Sequence, residues 1–325
     1  MSTAAPRGPS SAVPSGLKLW LAGARPRTLP AAIVPVLVGS AAAIGVSPST
    51  GLSRSQELNG EYLTSGERWM TFALAMIVAL ALQVATNYAN DYSDGKRGTD
   101  DPSKRVGPVR LVGQGLASPG AVKRAMLMSF AVALAAGSVI VLMIGWELIP
   151  VGIASVAAGW FYTGGSKPYG YAGFGEVFVF LFFGVVATVG ATYVQIERIT
   201  WLSVGSSVAV GSLATALLVV NNLRDIPGDT LVGKQTLAVR LGDASTRKLY
   251  AALMIVPFLL LPALAGLGGR PLAAAGFAAI ILSTKPLIAV LSGASGRDLI
   301  AVLGATGRTQ LAFGLLVAGG YAVVL

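Results

Sequence analysis

Residues 71–100 read TFALAMIVALALQVATNYANDYSDGKRGTD, and this stretch decides the fold. Its first 20 residues carry no charge, which is about the length that a helix needs to cross a bilayer. A segment that crosses lipid must satisfy its own backbone hydrogen bonds, so we expect it to be α-helical. Three of the next ten residues are aspartates. The stretch therefore predicts a membrane helix that ends in an acidic segment.

The whole chain has the composition of an integral membrane protein. Of its 325 residues, 54% are hydrophobic and only 12% are charged, whereas soluble domains carry about 25% charged residues. The chain contains no cysteine and no histidine. Their absence excludes a disulfide framework, a thiolate nucleophile, a zinc site built from these residues and a histidine base. Any chemistry must use oxygen ligands, lysine, arginine or tyrosine.

Runs without charged residues recur along the chain, and they are rich in the small residues that favour helix packing in lipid. We expect an all-α, polytopic membrane bundle of about nine transmembrane helices around a central cavity that opens to the cytoplasmic side. Eight runs are uncharged: residues 28–53, 71–90, 125–146, 148–166, 177–196, 199–223, 249–269 and 309–325. Residues 271–291 make a ninth span if Lys285 can snorkel or face the protein interior.

The two ends of the chain are expected to differ. Residues 1–15 are rich in serine, proline and alanine and are predicted to form a disordered tail. Residues 16–325 are expected to form a single transmembrane domain. Residues 17–24 could form a helix that lies in the membrane interface.

The placement of lysine and arginine predicts the orientation. With the N-terminus in the cytoplasm, 19 of these residues fall on the cytoplasmic side and four on the other. We therefore expect a plasma-membrane protein with a cytoplasmic N-terminus, an extracytoplasmic C-terminus and a site that faces the cytoplasm. Anionic membrane lipid explains the net charge of +10 without nucleic acid as a partner.

Six of the 14 acidic residues fall in two short segments, residues 90–101 (NDYSDGKRGTDD) and 221–229 (NNLRDIPGD). Each begins with an asparagine that is followed four residues later by an aspartate, and this spacing places both side chains on one helix face. Carboxylates gathered in a cleft repel one another unless cations neutralise them. Mg²⁺ is held by carboxylates together with substrate phosphates. Two such segments would suit two or three Mg²⁺ ions that share a diphosphate.

Basic residues accompany both acidic segments. Lys96, Arg97 and Arg110 follow the first, and Lys234 follows the second, while Arg27 and Lys167 lie at the cytoplasmic ends of other predicted helices. Lysine and arginine bind phosphate oxygens. Acidic and basic groups together favour a metal diphosphate as the ligand. The alternative is that these are solvated loop charges that cap the helices.

At these residues the sequence resembles the UbiA superfamily of intramembrane aromatic prenyltransferases. The usual first motif of that family is Asn, Asp, two residues, Asp, three residues, Asp. Here Gly98 occupies the last position and Asp100 follows it, a pattern similar to the branch that uses 1,4-dihydroxy-2-naphthoate. Four further segments resemble this branch: residues 24–39, 107–115, 162–184 and 221–242.

The resemblance implies nine helices, Mg²⁺ as cofactor, and specific roles for residues of both motifs. It implies a pocket role for Tyr162 and diphosphate binding by Arg110, Lys167 and Lys234, to which we add Arg27. Asp94 and Asp225 are the expected catalytic residues. Asp91 is a candidate base, although an electron-rich acceptor could need little help. The implied Mg²⁺ ligands are Asn90, Asp94, Asp100, Asn221, Asp225 and Asp229.

The implied activity is transfer of a polyprenyl group from polyprenyl diphosphate to 1,4-dihydroxy-2-naphthoate with decarboxylation. The product would be demethylmenaquinol, in menaquinone biosynthesis. Alternatives are another acceptor, such as 4-hydroxybenzoate or homogentisate, a sugar donor, or a cation-coupled transporter. A lipid phosphotransferase would need a compact run of aspartates and glycines that the sequence lacks. The length of the prenyl chain and the oligomeric state stay open.

Overall fold

A computed structural model describes residues 15–46, 63–99 and 109–324. Most of the predicted tail and Asp100 lie outside these ranges. Within them the secondary structure is helical, with no strand. The helices are α1 (Leu17–Ala24), α2 (Pro30–Ala42), α3 (Ser65–Arg97), α4 (Pro119–Met143), α5 (Leu148–Phe161), α6 (Gly175–Ile196), α7 (Trp201–Leu231), α8 (Leu237–Gly266), α9 (Pro271–Leu291) and α10 (Asp298–Ala322).

Seven of these helices, α3, α4 and α6 to α10, are long and apolar enough to cross a membrane. The prediction of an all-helical membrane bundle is therefore confirmed. The count of nine is only approximate, because α2 and α5 have 13 and 14 residues. At 1.5 Å per residue each extends about 20 Å, which is shorter than the hydrocarbon core of about 30 Å.

The helices that carry the two acidic motifs continue past their apolar runs. The threonine and glutamate of a capping box, Thr64 and Glu67, start α3, and the helix ends at Gly98, whose φ is +70°. Helix α7 likewise starts at a cap formed by Thr200 and runs to Leu231. Asn90 and Asp94, like Asn221 and Asp225, therefore lie within helical turns, where an asparagine and the aspartate four residues later share a face.

Helices α2 and α7 lie in the middle of the bundle. Helix α2 contacts α3, α6, α7 and α10, and α7 also packs against α8 and α10. In an apolar 18-residue stretch of α7, 78% of the residues are buried inside the protein, whereas in such a stretch of α3 only 17% are buried. Helix α7 is thus an inner helix, and the side chains of Asn221, Asp225 and Asp229 near its end are partly buried.

Two glycines let α6 approach α7 closely. A Cβ atom added at Gly184 would lie 2.6 Å from the Cα of Gly211, nearer than real Cβ atoms come to another atom. Gly184 lies in the π-helical part of α6, Phe180–Val186. Small residues at such crossings allow the backbone contact on which helix association in lipid depends.

Gly184→Ala is expected to destabilise the protein by about 1–3 kcal/mol, because the added methyl group overpacks this crossing. Gly190→Ala is the matched control on the same helix, since a Cβ there meets no atom within 4 Å. The measurement is the thermal unfolding midpoint in detergent. Equal midpoints for the two variants would contradict the close approach of α6 and α7.

Candidate active site

A cavity of about 990 Å³ lies among helices α2 to α7. One end is polar, and the remainder is lined mainly by aliphatic and aromatic side chains. The apolar part includes Leu82, Val141 and Val156, and it extends to Leu142 and Ile153, which are exposed on the outer surface of α4 and α5. The cavity therefore suits a ligand with a charged head and a long apolar tail.

Both acidic motifs line the polar end of this one cavity. The first motif contributes Asn90 and Asp94 from α3, and the second contributes Asn221, Asp225 and Asp229 from α7. Five of the six predicted metal ligands are thus brought together by two helices that are remote in sequence.

Asp94 contacts a phenol and two cations at the polar end of the cavity. Its Oδ1 accepts a hydrogen bond of 2.6 Å from the hydroxyl of Tyr171. Its Oδ2 accepts a bond of 3.3 Å from Nζ of Lys234 and lies 3.6 Å from Nη2 of Arg110. Two cations around one buried carboxylate leave positive charge available for an anionic ligand.

The second motif is ordered by an arginine within it. Arg224 donates from Nε and Nη2 to the two carboxylate oxygens of Asp225, at 2.8 and 2.7 Å. Its Nη2 also donates to Oδ1 of Asn221 at 2.9 Å. Arg224 therefore fixes the side chains of both residues on the cavity face of α7. Behind them, Nδ2 of Asn222 donates to Oε1 of the buried Glu176 at 2.9 Å.

Asn90 connects α3 to the loop after α5. Its Oδ1 accepts a hydrogen bond of 2.8 Å from Thr163, and Arg97 donates to the carbonyls of Thr163 and Gly165. An amide oxygen has two lone pairs, so Oδ1 of Asn90 keeps one for a metal ion. The loop that begins at Tyr162 is thereby held against the first motif.

Aromatic side chains form one wall of the cavity. Tyr162 meets Tyr169 edge-on at 5.6 Å between ring centroids, and Tyr169 stacks on Phe178 at 3.9 Å. Phe182 extends the stack at 6.0 Å. The four rings therefore form a continuous aromatic surface along this side of the cavity.

Three residues that the sequence assigned to the site do not line the cavity. Arg27 and Lys167 are exposed on the outside of the protein. Asp91 is fully buried, and its carboxylate accepts hydrogen bonds from the backbone amides of Leu111 and Val112. The reason is helical geometry, because Asp91 follows Asn90 directly and one residue rotates the direction of the side chain by about 100°.

The structure also places residues in the cavity that the sequence analysis did not select. Arg25, rather than Arg27, lines it, and Arg25 has a left-handed backbone with φ of 54°. Such a conformation is uncommon outside glycine, so no pattern predicted it. Tyr171, Asn222 and Arg224 also line the cavity and were missed, as was Glu176, which bonds Asn222 from outside the lining.

The positions of Gln83 and Asn87 in the cavity could have been predicted from the sequence. Residues 83, 87, 90 and 94 follow one another at spacings of four, three and four, which is a single face of α3. Asn87 donates to the carbonyl of Ala24 at 2.9 Å, and Gln83 donates to the hydroxyl of Thr28 at 3.1 Å. A polar stripe on an apolar helix could have identified both as cavity residues.

The acidic end fits a metal ion that is shared with a ligand. Among the residues that the structure describes, no group of three or more acidic side chains is close enough to hold a metal alone. Mg²⁺ commonly takes one or two carboxylates, and substrate phosphates complete its coordination. Asparagine and aspartate oxygens near Lys234 and Arg110 are the donor set expected for a metal-bound diphosphate.

The chain is similar in sequence to named prenyltransferases. It is 47% identical over 303 residues to 1,4-dihydroxy-2-naphthoate octaprenyltransferase of Mycobacterium tuberculosis, covering 93% of this chain and 96% of the relative. It is 34% identical over 247 residues to the enzyme of that name from Escherichia coli, covering 74% of each chain.

Solved structures share the fold. The apo structure of a UbiA homolog from Aeropyrum pernix aligns with a TM-score of 0.57 at 15% identity, over 90% of this chain and 95% of that one. A UbiA homolog from Archaeoglobus fulgidus bound to DMAPP and Mg²⁺ aligns with a TM-score of 0.54 at 15% identity, over 92% and 99%. The pattern of the UbiA prenyltransferase family matches residues 32–298. The chain therefore belongs to the UbiA prenyltransferase family.

Proposed function

We propose that this protein transfers a polyprenyl group from polyprenyl diphosphate to 1,4-dihydroxy-2-naphthoate and that carbon dioxide is lost. The product is demethylmenaquinol, an intermediate in the synthesis of menaquinone. The observation that carries the proposal is the single cavity in which Asn90, Asp94, Asn221 and Asp225 meet Lys234 beside an apolar tunnel. The names of the relatives from Mycobacterium tuberculosis and Escherichia coli support the choice of acceptor.

The two motifs would hold two or three Mg²⁺ ions, and the motif pattern adds Asp100 to the five ligands in the cavity. When bound, Mg²⁺ neutralises the charge that develops on the departing diphosphate. The homolog from Archaeoglobus fulgidus with DMAPP and Mg²⁺ supports a divalent ion shared with a prenyl diphosphate. Among the residues present, Asn221 and Asp225 are prepared for this role because Arg224 holds both side chains in place.

We assign diphosphate binding to Arg25, Arg110 and Lys234, in place of the exposed Arg27 and Lys167. The first three line the cavity, and two of them contact Asp94. Arginine and lysine bind phosphate oxygens by charge-assisted hydrogen bonds. Their positive charge stabilises the leaving group as the bond between the allylic carbon and oxygen breaks.

The apolar tunnel would hold the polyprenyl tail and keep water from the allylic cation. The aromatic wall of Tyr162, Tyr169, Phe178 and Phe182 borders the same space. Aromatic faces attract cations, and the attraction is stronger where water is excluded. The faces of these rings would therefore stabilise the cation.

The acceptor would react at the ring carbon that bears its carboxylate. A carbon–carbon bond forms there, and the bond from the ring to the carboxylate then breaks. Its electron pair returns to the ring, and carbon dioxide leaves. No ring proton has to be removed, so this step needs no histidine and no base at Asp91. The chemistry thus agrees with a chain without histidine and with a fully buried Asp91.

We further propose that the protein lies in the plasma membrane with its N-terminus and the polar end of the cavity at the cytoplasmic face. The excess of lysine and arginine on that side supports this orientation. In this proposal residues 16–325 act as one domain.

Asp94→Asn and Asp225→Asn are each expected to lower kcat by roughly a hundredfold or more, because each removes a charge that binds the metal diphosphate. The assay is Mg²⁺-dependent prenylation of dihydroxynaphthoate in membranes. Asp243→Asn is the control, since Asp243 is exposed and paired only with Arg247 in the described residues. Near-normal turnover in both cavity variants would defeat the assignment.

Arg25→Ala and Arg27→Ala distinguish the structural assignment from the sequence-based one. Arg25→Ala is expected to raise KM for prenyl diphosphate roughly tenfold or more, because a charge-assisted contact contributes about 1.5–3 kcal/mol. Arg27→Ala is expected to raise it less. Steady-state kinetics with varied donor and saturating acceptor measure it. A larger effect at Arg27 would restore the assignment made from the sequence.

A panel of acceptors with one radiolabelled prenyl diphosphate tests the choice of acceptor. Dihydroxynaphthoate should be prenylated at least ten times faster than 4-hydroxybenzoate or homogentisate, because discrimination of roughly tenfold already follows from about 1.4 kcal/mol of transition-state binding. Carbon dioxide should be released from carboxyl-labelled dihydroxynaphthoate in equal amount to product. Preference for either other acid would reassign the enzyme within the family.

A further inference from the structure

Asp91 faces away from the cavity that Asn90 and Asp94 line, and it is 0% exposed. Its Oδ2 accepts a hydrogen bond of 2.8 Å from the amide of Leu111, and its Oδ1 accepts one of 2.9 Å from the amide of Val112. Both carboxylate oxygens are therefore engaged by two consecutive amides of the connection between α3 and α4.

The connection that Asp91 holds carries a cavity residue. Arg110 directly precedes Leu111, is 5% exposed, and places Nη2 3.6 Å from Oδ2 of Asp94. The amide nitrogen of Leu111 is bonded to the carbonyl carbon of Arg110. Fixing the Leu111 amide thus fixes the peptide plane from which the Arg110 side chain departs.

Leu111 and Val112 are packed tightly onto α1 and α3. Leu111 is fully buried, and a Cβ added at Gly23 would lie 2.7 Å from its side chain. The side chain of Val112 covers Gly95 in the same way. These contacts leave Leu111 and Val112 little freedom to move, provided that their amides keep the acceptor.

A buried carboxylate needs compensation, because desolvation of an ion is costly. The amides of Leu111 and Val112 supply it at Asp91. Through the Leu111 amide, Asp91 is linked by the backbone to Arg110, which lines the cavity.

We propose that Asp91 is a positioning residue that holds Arg110 in place to bind the diphosphate of the prenyl donor. The proposal rests on the function proposed above. It differs from a role as base, because both oxygens of Asp91 are occupied by amides and neither reaches the cavity.

Asp91→Asn tests this inference with little change in shape. The Asn side chain keeps one acceptor but turns a donor toward the other amide. KM for prenyl diphosphate is expected to rise about 10–100-fold, the range seen when a supporting residue is removed from a site. KM for dihydroxynaphthoate is expected to change by less than about twofold. An unchanged donor KM would overturn the proposal.

A double-mutant cycle with Arg110→Ala separates positioning from general structural damage. If Asp91 acts through Arg110, the double variant should lose no more donor affinity than Arg110→Ala alone. Effects that multiply would show that Asp91 acts independently and would overturn the inference. Tyr321→Phe is the control, because it removes a buried hydrogen bond of 2.9 Å to Ser206 outside the cavity. It should leave the donor KM unchanged.

Hydrogen exchange on the unmutated protein supplies a test that does not depend on how any variant folds. The amides of Leu111 and Val112 should be strongly protected. Rapid exchange at these two amides would overturn the inference. Protection without any prenyl transfer would instead refute the proposed function and leave the Asp91 contact in place.

Discussion

The burial of carboxylates in a lipid-embedded bundle is the constraint on which the rest of this structure depends. An ionised acid inside a membrane protein is costly unless cations and hydrogen-bond donors surround it. Asp94 is enclosed by Lys234, Arg110 and Tyr171, and Asp225 is enclosed by Arg224. The cations that compensate the charge of these acids are therefore placed where an enzyme that acts on a diphosphate requires them.

The same constraint explains why neighbouring residues of α3 have different roles. Asn90 and Asp94 turn toward the cavity, whereas Asp91 turns toward the protein interior and bonds the chain beyond the helix. One helical segment thus serves both the ligand and the loop that carries Arg110. On α7, Arg224 performs a comparable task within the motif itself, because its guanidinium spans Asn221 and Asp225.

The apolar remainder of the cavity complements this charged end. Some residues of α4 and α5 that line the tunnel are also exposed on the outer surface. An isoprenoid tail can therefore lie between protein and lipid. The aromatic wall borders the same space. With decarboxylation replacing proton loss from the ring, this arrangement needs no imidazole, and the absence of histidine from the chain becomes understandable.

The sequence by itself determined the helical membrane fold and the two motifs, because hydrophobic runs and an i, i+4 spacing are local properties. It could not decide which of Arg25 and Arg27 enters the cavity, since that depends on a left-handed turn at Arg25. Nor could it assign Asp91, Tyr171 or Glu176, whose partners are remote in the chain. Such contacts form only when α3, α7 and their loops are packed, and only the tertiary structure decides them.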